Sequence, residues 1–206
     1  ITTKNLLAVS KKNETHVNAD ISSGPTSDEF PVFQVFRTVP EKLMEHNAKF
    51  LPDNAAFYFY DDHEGLNGAV KSLSADLEKA GVVTGFYEAF SMMRPIALQV
   101  DLFRVAALWR YGGLYMDHKV VLAKNLSSFV QMGSHEDPRI FLPVDSTYVD
   151  YSGHIAKCCF QGRRGVQNAF LYSSAPRHPY WEYVIRKQVS NIQKRFYGNS
   201  GVEPTG

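Results

Sequence analysis

Asp101 and Arg104 stand three residues apart in a stretch, 95–111, that is otherwise almost wholly apolar. Ile96, Leu98, Val100, Leu102, Phe103, Val105, Leu108 and Trp109 surround them in the sequence. On a helix that spacing puts both charges on one face. Charges are expensive to bury unless they are paired or engaged. Two readings fit. The pair is an internal ion pair that satisfies itself, or it lines a polar ligand site. In the second reading Arg104 grips phosphate or sugar hydroxyls, and Asp101 accepts hydrogen bonds from hydroxyls. Directly afterwards Gly112-Gly113 ends the helix, and a strand-like run over 114–122 carries Asp117. Side chains alternate along a strand, so Tyr115, Asp117 and Lys119 are expected on one face and Leu114, Met116 and His118 on the other. A lone carboxylate there is either a solvated edge residue or a ligand residue at a strand's end.

Other elements must hold these residues in place. The residues 1–29 are mostly polar and read as a loop-like arm; residues 30–206 read as one domain, part of a longer chain. Apolar runs predict strands over 30–36, 54–60, 139–144 and 169–173. Helices are predicted over 40–50, 66–80, 95–111 and 179–195, the second with Leu66, Val70, Leu73, Leu77 and Ala80 on one stripe. Strands alternating with helices indicate an α/β fold with a mainly parallel central sheet flanked by helices. Such sheets bind ligands beyond the carboxyl ends of their strands.

Composition narrows the function classes. A chain of 206 residues with 44% hydrophobic and 21% charged residues can build one real core. The net charge of +1 gives no basic field for nucleic acid. The 14 Phe and 11 Tyr suit a packed core and also a pocket that stacks flat ligands. The two cysteines, Cys158 and Cys159, are adjacent, which makes no disulfide framework and points to a reducing, cytoplasmic setting. No apolar run is long enough to span a membrane. The sequons Asn13-Glu14-Thr15 and Asn125-Leu126-Ser127 read as chance matches. The histidines show no metal-ligand spacing, and no Rossmann or Walker glycine loop occurs. Asp145, Asp150 and His154 are loop candidates for a general base, each equally readable as an ordinary loop residue. Gly162-Arg163-Arg164-Gly165 is a small basic turn.

The run DLFRVAALWRYGGLYMDHK, residues 101–119, resembles the signature of the DXD-containing glycosyltransferases of the GT-A fold. That group includes outer-chain mannosyltransferases, capsular-polysaccharide transferases and the glucosylating clostridial toxins. Weaker matches follow in the family's order: 32–38, 57–62, 167–171, 176–179 and 204–206. The texture also resembles capsid-glycan transferases of large algal viruses, which would place the protein in a host cytoplasm.

The resemblance implies a Rossmann-like GT-A transferase fold and a metal-dependent hexosyltransferase. The implied donor is UDP-glucose or a related UDP-hexose, and the acceptor a glycan or glycoprotein hydroxyl. Phe36 would stack on the base, with Gln34, Arg37 and Thr38 nearby. Asp101 and Arg104 would contact the donor sugar and diphosphate, Tyr115 would pack beside the nucleotide, and Asn168 would sit near the sugar. Asp117 would hold Mn²⁺ or Mg²⁺. The motif's second Asp is Lys119 here. A protonated Lys cannot ligate a hard cation, so either Asp117 is the sole motif ligand or Lys119 supplies part of the charge. The alternative is a nucleotide-sugar or carbohydrate-binding module without catalysis; a third reading is a structural domain with Asp101 and Arg104 as a core pair.

Overall fold

The structure is a computed structural model. It describes residues 7–9, 15–17, 24–61, 64–134, 136–145, 148–149, 155–156 and 165–195. Two short strands, β1 (Leu7–Val9) and β2 (Thr15–Val17), pair antiparallel within the segment expected to be a loop. The main body begins with β3 (Phe30–Val35), α1 (Glu41–Ala48), β4 (Ala55–Tyr60) and α2 (Glu64–Lys79). Next come α3 (Phe86–Met92), α4 (Ile96–Tyr111) and β5 (Gly113–Met116). A 3-10 turn (Leu126–Ser128) leads to β6 (Ile140–Phe141), β7 (Val144–Asp145), β8 (Tyr148–Val149), β9 (Ile155–Ala156) and β10 (Gly165–Val166). The described chain closes with β11 (Phe170–Ser173) and α5 (Pro179–Gln193).

The central sheet has five strands in the order β4-β3-β5-β11-β6. β3 runs parallel to β4 and β5, whereas β11 runs antiparallel to both β5 and β6. The sheet is therefore mixed, not mainly parallel as expected. A parallel partner needs a crossover, usually a helix. Between β5 and β11 the described residues hold only the 3-10 turn and short strands, so the chain returns antiparallel.

Strand alternation splits the core into two layers. Phe33, Val35, Tyr58, Tyr60, Tyr115 and Leu171 face α2, α3, α4 and α5. Val32, Phe57, Leu114, Met116, Phe170 and Tyr172 face Met44 of α1 and Leu126 of the 3-10 turn. Cover on both faces explains why these strands read as continuous apolar runs without a polar side.

α4 is the central helix, buried from Leu102 through Trp109, including Arg104. The double-glycine corner after it is required by geometry. Gly112 and Gly113 both adopt positive φ, +69° and +83°. A Cβ at Gly113 would also run into the carbonyl oxygen of Pro31 on β3, so only glycine lets β5 pair so soon after the helix. α3 was not foreseen. It spans seven residues and has no side-chain cap. It is held by Phe86, Ala89 and Phe90 against the core rather than by local signals.

The strand expected over 114–122 stops at Met116. Asp117 accepts a 2.9 Å hydrogen bond through its carbonyl from the Val120 amide, which closes a turn. Strand alternation thus does not carry on to Lys119. α1 fixes the exit from this turn. Asn47 donates to the Val120 carbonyl at 2.8 Å and accepts from the Leu122 amide at 2.8 Å. His46 Nε2 donates to the Leu122 carbonyl at 2.9 Å.

Candidate functional site

The carboxyl ends of β3 and β5 and the first half of α4 enclose a cavity of about 350 Å³. Val35, Ile96, Ala97 and Val100 form an apolar wall. Arg37, Arg104, Tyr115 and Asp117 form a polar one, and Phe36 and His118 stand at the side. This is where an open α/β sheet is expected to take a ligand.

The polar wall is organised around Arg104, which is only 5% exposed. Its Nη2 pairs with Asp101 Oδ1 at 2.7 Å, one helical turn away. Its Nη1 donates to the Asn168 carbonyl and lies 3.9 Å from Asp117 Oδ1. Its Nε reaches the Val100 carbonyl at 3.4 Å. The guanidinium also sits 4.5 Å from the centre of the Tyr115 ring, a cation–π contact. Asn168 returns the link, donating from Nδ2 to Asp101 Oδ1 at 3.0 Å. One cation thereby ties α4 to the loop before β11 and to the end of β5.

Tyr115 is buried, and its hydroxyl donates to Asp117 Oδ1 at 2.6 Å. Burial pushes that hydroxyl well above the usual tyrosine range; nearby Arg104 opposes the rise and Asp117 adds to it. The hydroxyl therefore stays protonated and acts as a fixed donor. The Asp117 backbone amide donates to the Ala169 carbonyl at 2.8 Å. Its side chain remains 40% exposed, with the described contacts all on Oδ1. One carboxylate oxygen is thus oriented, and the side chain as a whole is part-exposed.

Three of the expected residues, Asp101, Arg104 and Asp117, meet in one network, with Tyr115 and Asn168 part of it. Phe36 and Arg37 line the cavity; Gln34, Thr38 and Lys119 do not. Gln34 is buried on the opposite face of β3, alternating with Val35, and its amide has no partner among the described residues. Lys119 is exposed in the turn after β5. Asp150, His154, the cysteine pair, Arg163, Arg164 and residues 204–206 lie outside the described residues, as does the side chain of Asp145. Sequence reasoning missed His118 and the apolar wall. Ile96, Ala97, Val100 and Arg104 fall within 100° or so of one another on a helical wheel, a signal hidden because α4 is apolar all round.

The family model of the glycosyltransferase sugar-binding region containing a DXD motif matches residues 37–137. Over those residues, just under half of the chain, the sequence is similar to that family. The segment includes Arg37, the whole of α4, the double-glycine corner and Asp117. Within that segment, the residues set against the motif by sequence resemblance are Asp117, His118 and Lys119. Among solved structures, one described as "PaToxG Glycosyltransferase" is similar with a TM-score of 0.51 at 18% identity. The match covers 86% of this chain and 65% of that one, so this chain spans less than two thirds of that structure. At this identity the likeness speaks for the fold alone. No curated protein matches the sequence. The algal-virus likeness gains no support from these comparisons.

The family's motif implies a divalent cation. No group of three or more His, Cys, Asp or Glu side chains comes together to hold one among the described residues. A single oriented, part-exposed carboxylate does fit a Mg²⁺-like ion that keeps its waters and is bound mainly by substrate phosphates. The described residues fit a metal carried in with a diphosphate rather than a site that they preform among themselves.

Proposed function

We propose that this chain transfers a hexose from a nucleoside-diphosphate sugar, UDP-glucose or a related UDP-hexose, to a hydroxyl of a glycan or glycoprotein acceptor. The observation that carries the reading is the convergence of Asp101, Arg104, Tyr115 and Asp117 beside one cavity at the carboxyl ends of β3 and β5. In the reaction the acceptor oxygen bonds to the anomeric carbon and loses its proton. The bond from that carbon to the diphosphate breaks, and its electron pair leaves with the nucleoside diphosphate. Catalysis then needs positive charge where the diphosphate develops negative charge.

The residues divide this work. The apolar wall and the Phe36 ring receive the base. Arg37 at the mouth faces the phosphates. Arg104 spends its hydrogen bonds on Asp101 and Asn168, so it holds the site and adds positive potential behind it. Tyr115 aims the Asp117 carboxylate. A Mg²⁺ or Mn²⁺ ion arriving with the donor would be held by Asp117 and would neutralise the leaving diphosphate.

The test is transfer and donor hydrolysis across a panel of nucleotide sugars, with Mn²⁺ and after chelation, for the native chain and Asp117→Ala. The reading expects turnover with a UDP-hexose that Asp117→Ala abolishes while the chain stays folded. Near-native turnover in Asp117→Ala rejects it. The motif's lysine favours a second reading, a nucleotide-sugar-binding module without turnover. Calorimetric binding of a UDP-hexose with no hydrolysis would establish that one.

A further inference from the structure

We infer that His118 is a placeholder on the Phe36 ring: it covers the face on which the donor's base stacks, and donor binding displaces it. The inference rests on the donor reading above and concerns how that site opens. The two rings lie 3.5 Å apart between centroids and 12° from parallel. Aromatic pairs in proteins mostly sit offset with centroids 4.5–7 Å apart; this pair is nearly eclipsed, so one face of Phe36 is fully covered by imidazole. That spacing and tilt are those of a flat heterocycle stacked on an aromatic ring. Both residues border the cavity.

The imidazole is also weakly anchored. It belongs to the turn after β5, not to the ladder. Its Nε2 is buried and meets no hydrogen-bond partner among the described residues. Buried polar atoms without partners are costly and rare. The stacked arrangement therefore carries an unmet hydrogen bond at His118 Nε2 that a shift of the ring can relieve. A base takes over the stack, and the His118 side chain rotates away while Asp117, one residue earlier, stays fixed by Tyr115 and the Ala169 carbonyl.

The experiment follows the His118 ring protons by NMR in the native chain, with Phe36→Leu and His118→Ala as references and UDP as the probe. Without UDP the His118 signals should be displaced by the Phe36 ring current, and Phe36→Leu should abolish that displacement. Saturating UDP should abolish it too. Losing one competing stack should let His118→Ala bind UDP roughly two- to tenfold tighter, with thermal melting confirming its fold. UDP binding with the His118 signals unmoved, or weaker binding by folded His118→Ala, overturns the inference and leaves the donor reading intact. No UDP binding by either protein rejects the donor reading and the inference together.

Discussion

Replacing Arg104 with methionine tests whether this cation is the frame of the site. The guanidinium is 5% exposed and holds Asp101 at 2.7 Å, the Asn168 carbonyl and the Tyr115 ring. Methionine fills similar space but takes from Asp101 its cationic partner and from that carbonyl the Arg104 donor. Removing one partner of a buried pair costs about 3–5 kcal/mol. The Asp101 side chain is 16% exposed, so water softens the loss to roughly 2–4 kcal/mol. For a chain of this size each kcal/mol moves the melting temperature by about 2–4 °C. Arg104→Met should therefore melt about 5–15 °C lower in a calorimetric or circular-dichroism scan. Adding Asp101→Leu should restore most of the lost stability, because an apolar pair can replace a buried ion pair at little cost. Neither variant should transfer sugar, since Asn168 and Asp117 lose their shared anchor. A single variant that melts within about 2 °C of the native chain, which corresponds to under ~1 kcal/mol, refutes the reasoning. So does a double variant less stable than the single one.

Four further outcomes follow from the geometry. Asp117→Asn should lower turnover roughly 100- to 1,000-fold with little change in melting, because the carboxylate is 40% exposed; steady-state kinetics beside a melt checks both halves. Tyr115→Phe removes the 2.6 Å donor to Asp117 and should cut kcat about tenfold with KM for the donor less affected; an unchanged kcat contradicts the orienting role. Gly113→Ala combines a φ of +83° with the Pro31 carbonyl clash and should lose about 2 kcal/mol or more in urea unfolding. Lys119→Asp places its carboxylate in the exposed turn after β5, away from the cavity lining, and should leave the Mn²⁺ concentration for half-maximal turnover unchanged; a metal titration that shifts about tenfold or more toward lower Mn²⁺ argues that residue 119 reaches the ion.

The chain's own pattern already determined the local pieces. β3, β4, α2, α4 and α5 appear where apolar spacing, proline starts and glycine stops place them, because those signals act over a few neighbouring residues. That Asp101 and Arg104 share one face follows from helix geometry alone, as does the need for a glycine corner at Gly112-Gly113; that they pair is a finding of the structure. Only tertiary structure decided how these pieces meet. The antiparallel placement of β11 depends on a long connection whose sequence has no periodic signal. α3 exists through packing of Phe86, Ala89 and Phe90 against the core. The early end of β5 depends on α1, whose Asn47 bonds to Val120 and Leu122 from 73 and 75 residues earlier. That contact turns Lys119 away from the strand's alternation and lays His118 over Phe36. Both results are long-range because a hydrogen bond or ring stack between distant segments leaves no mark in the spacing of either segment.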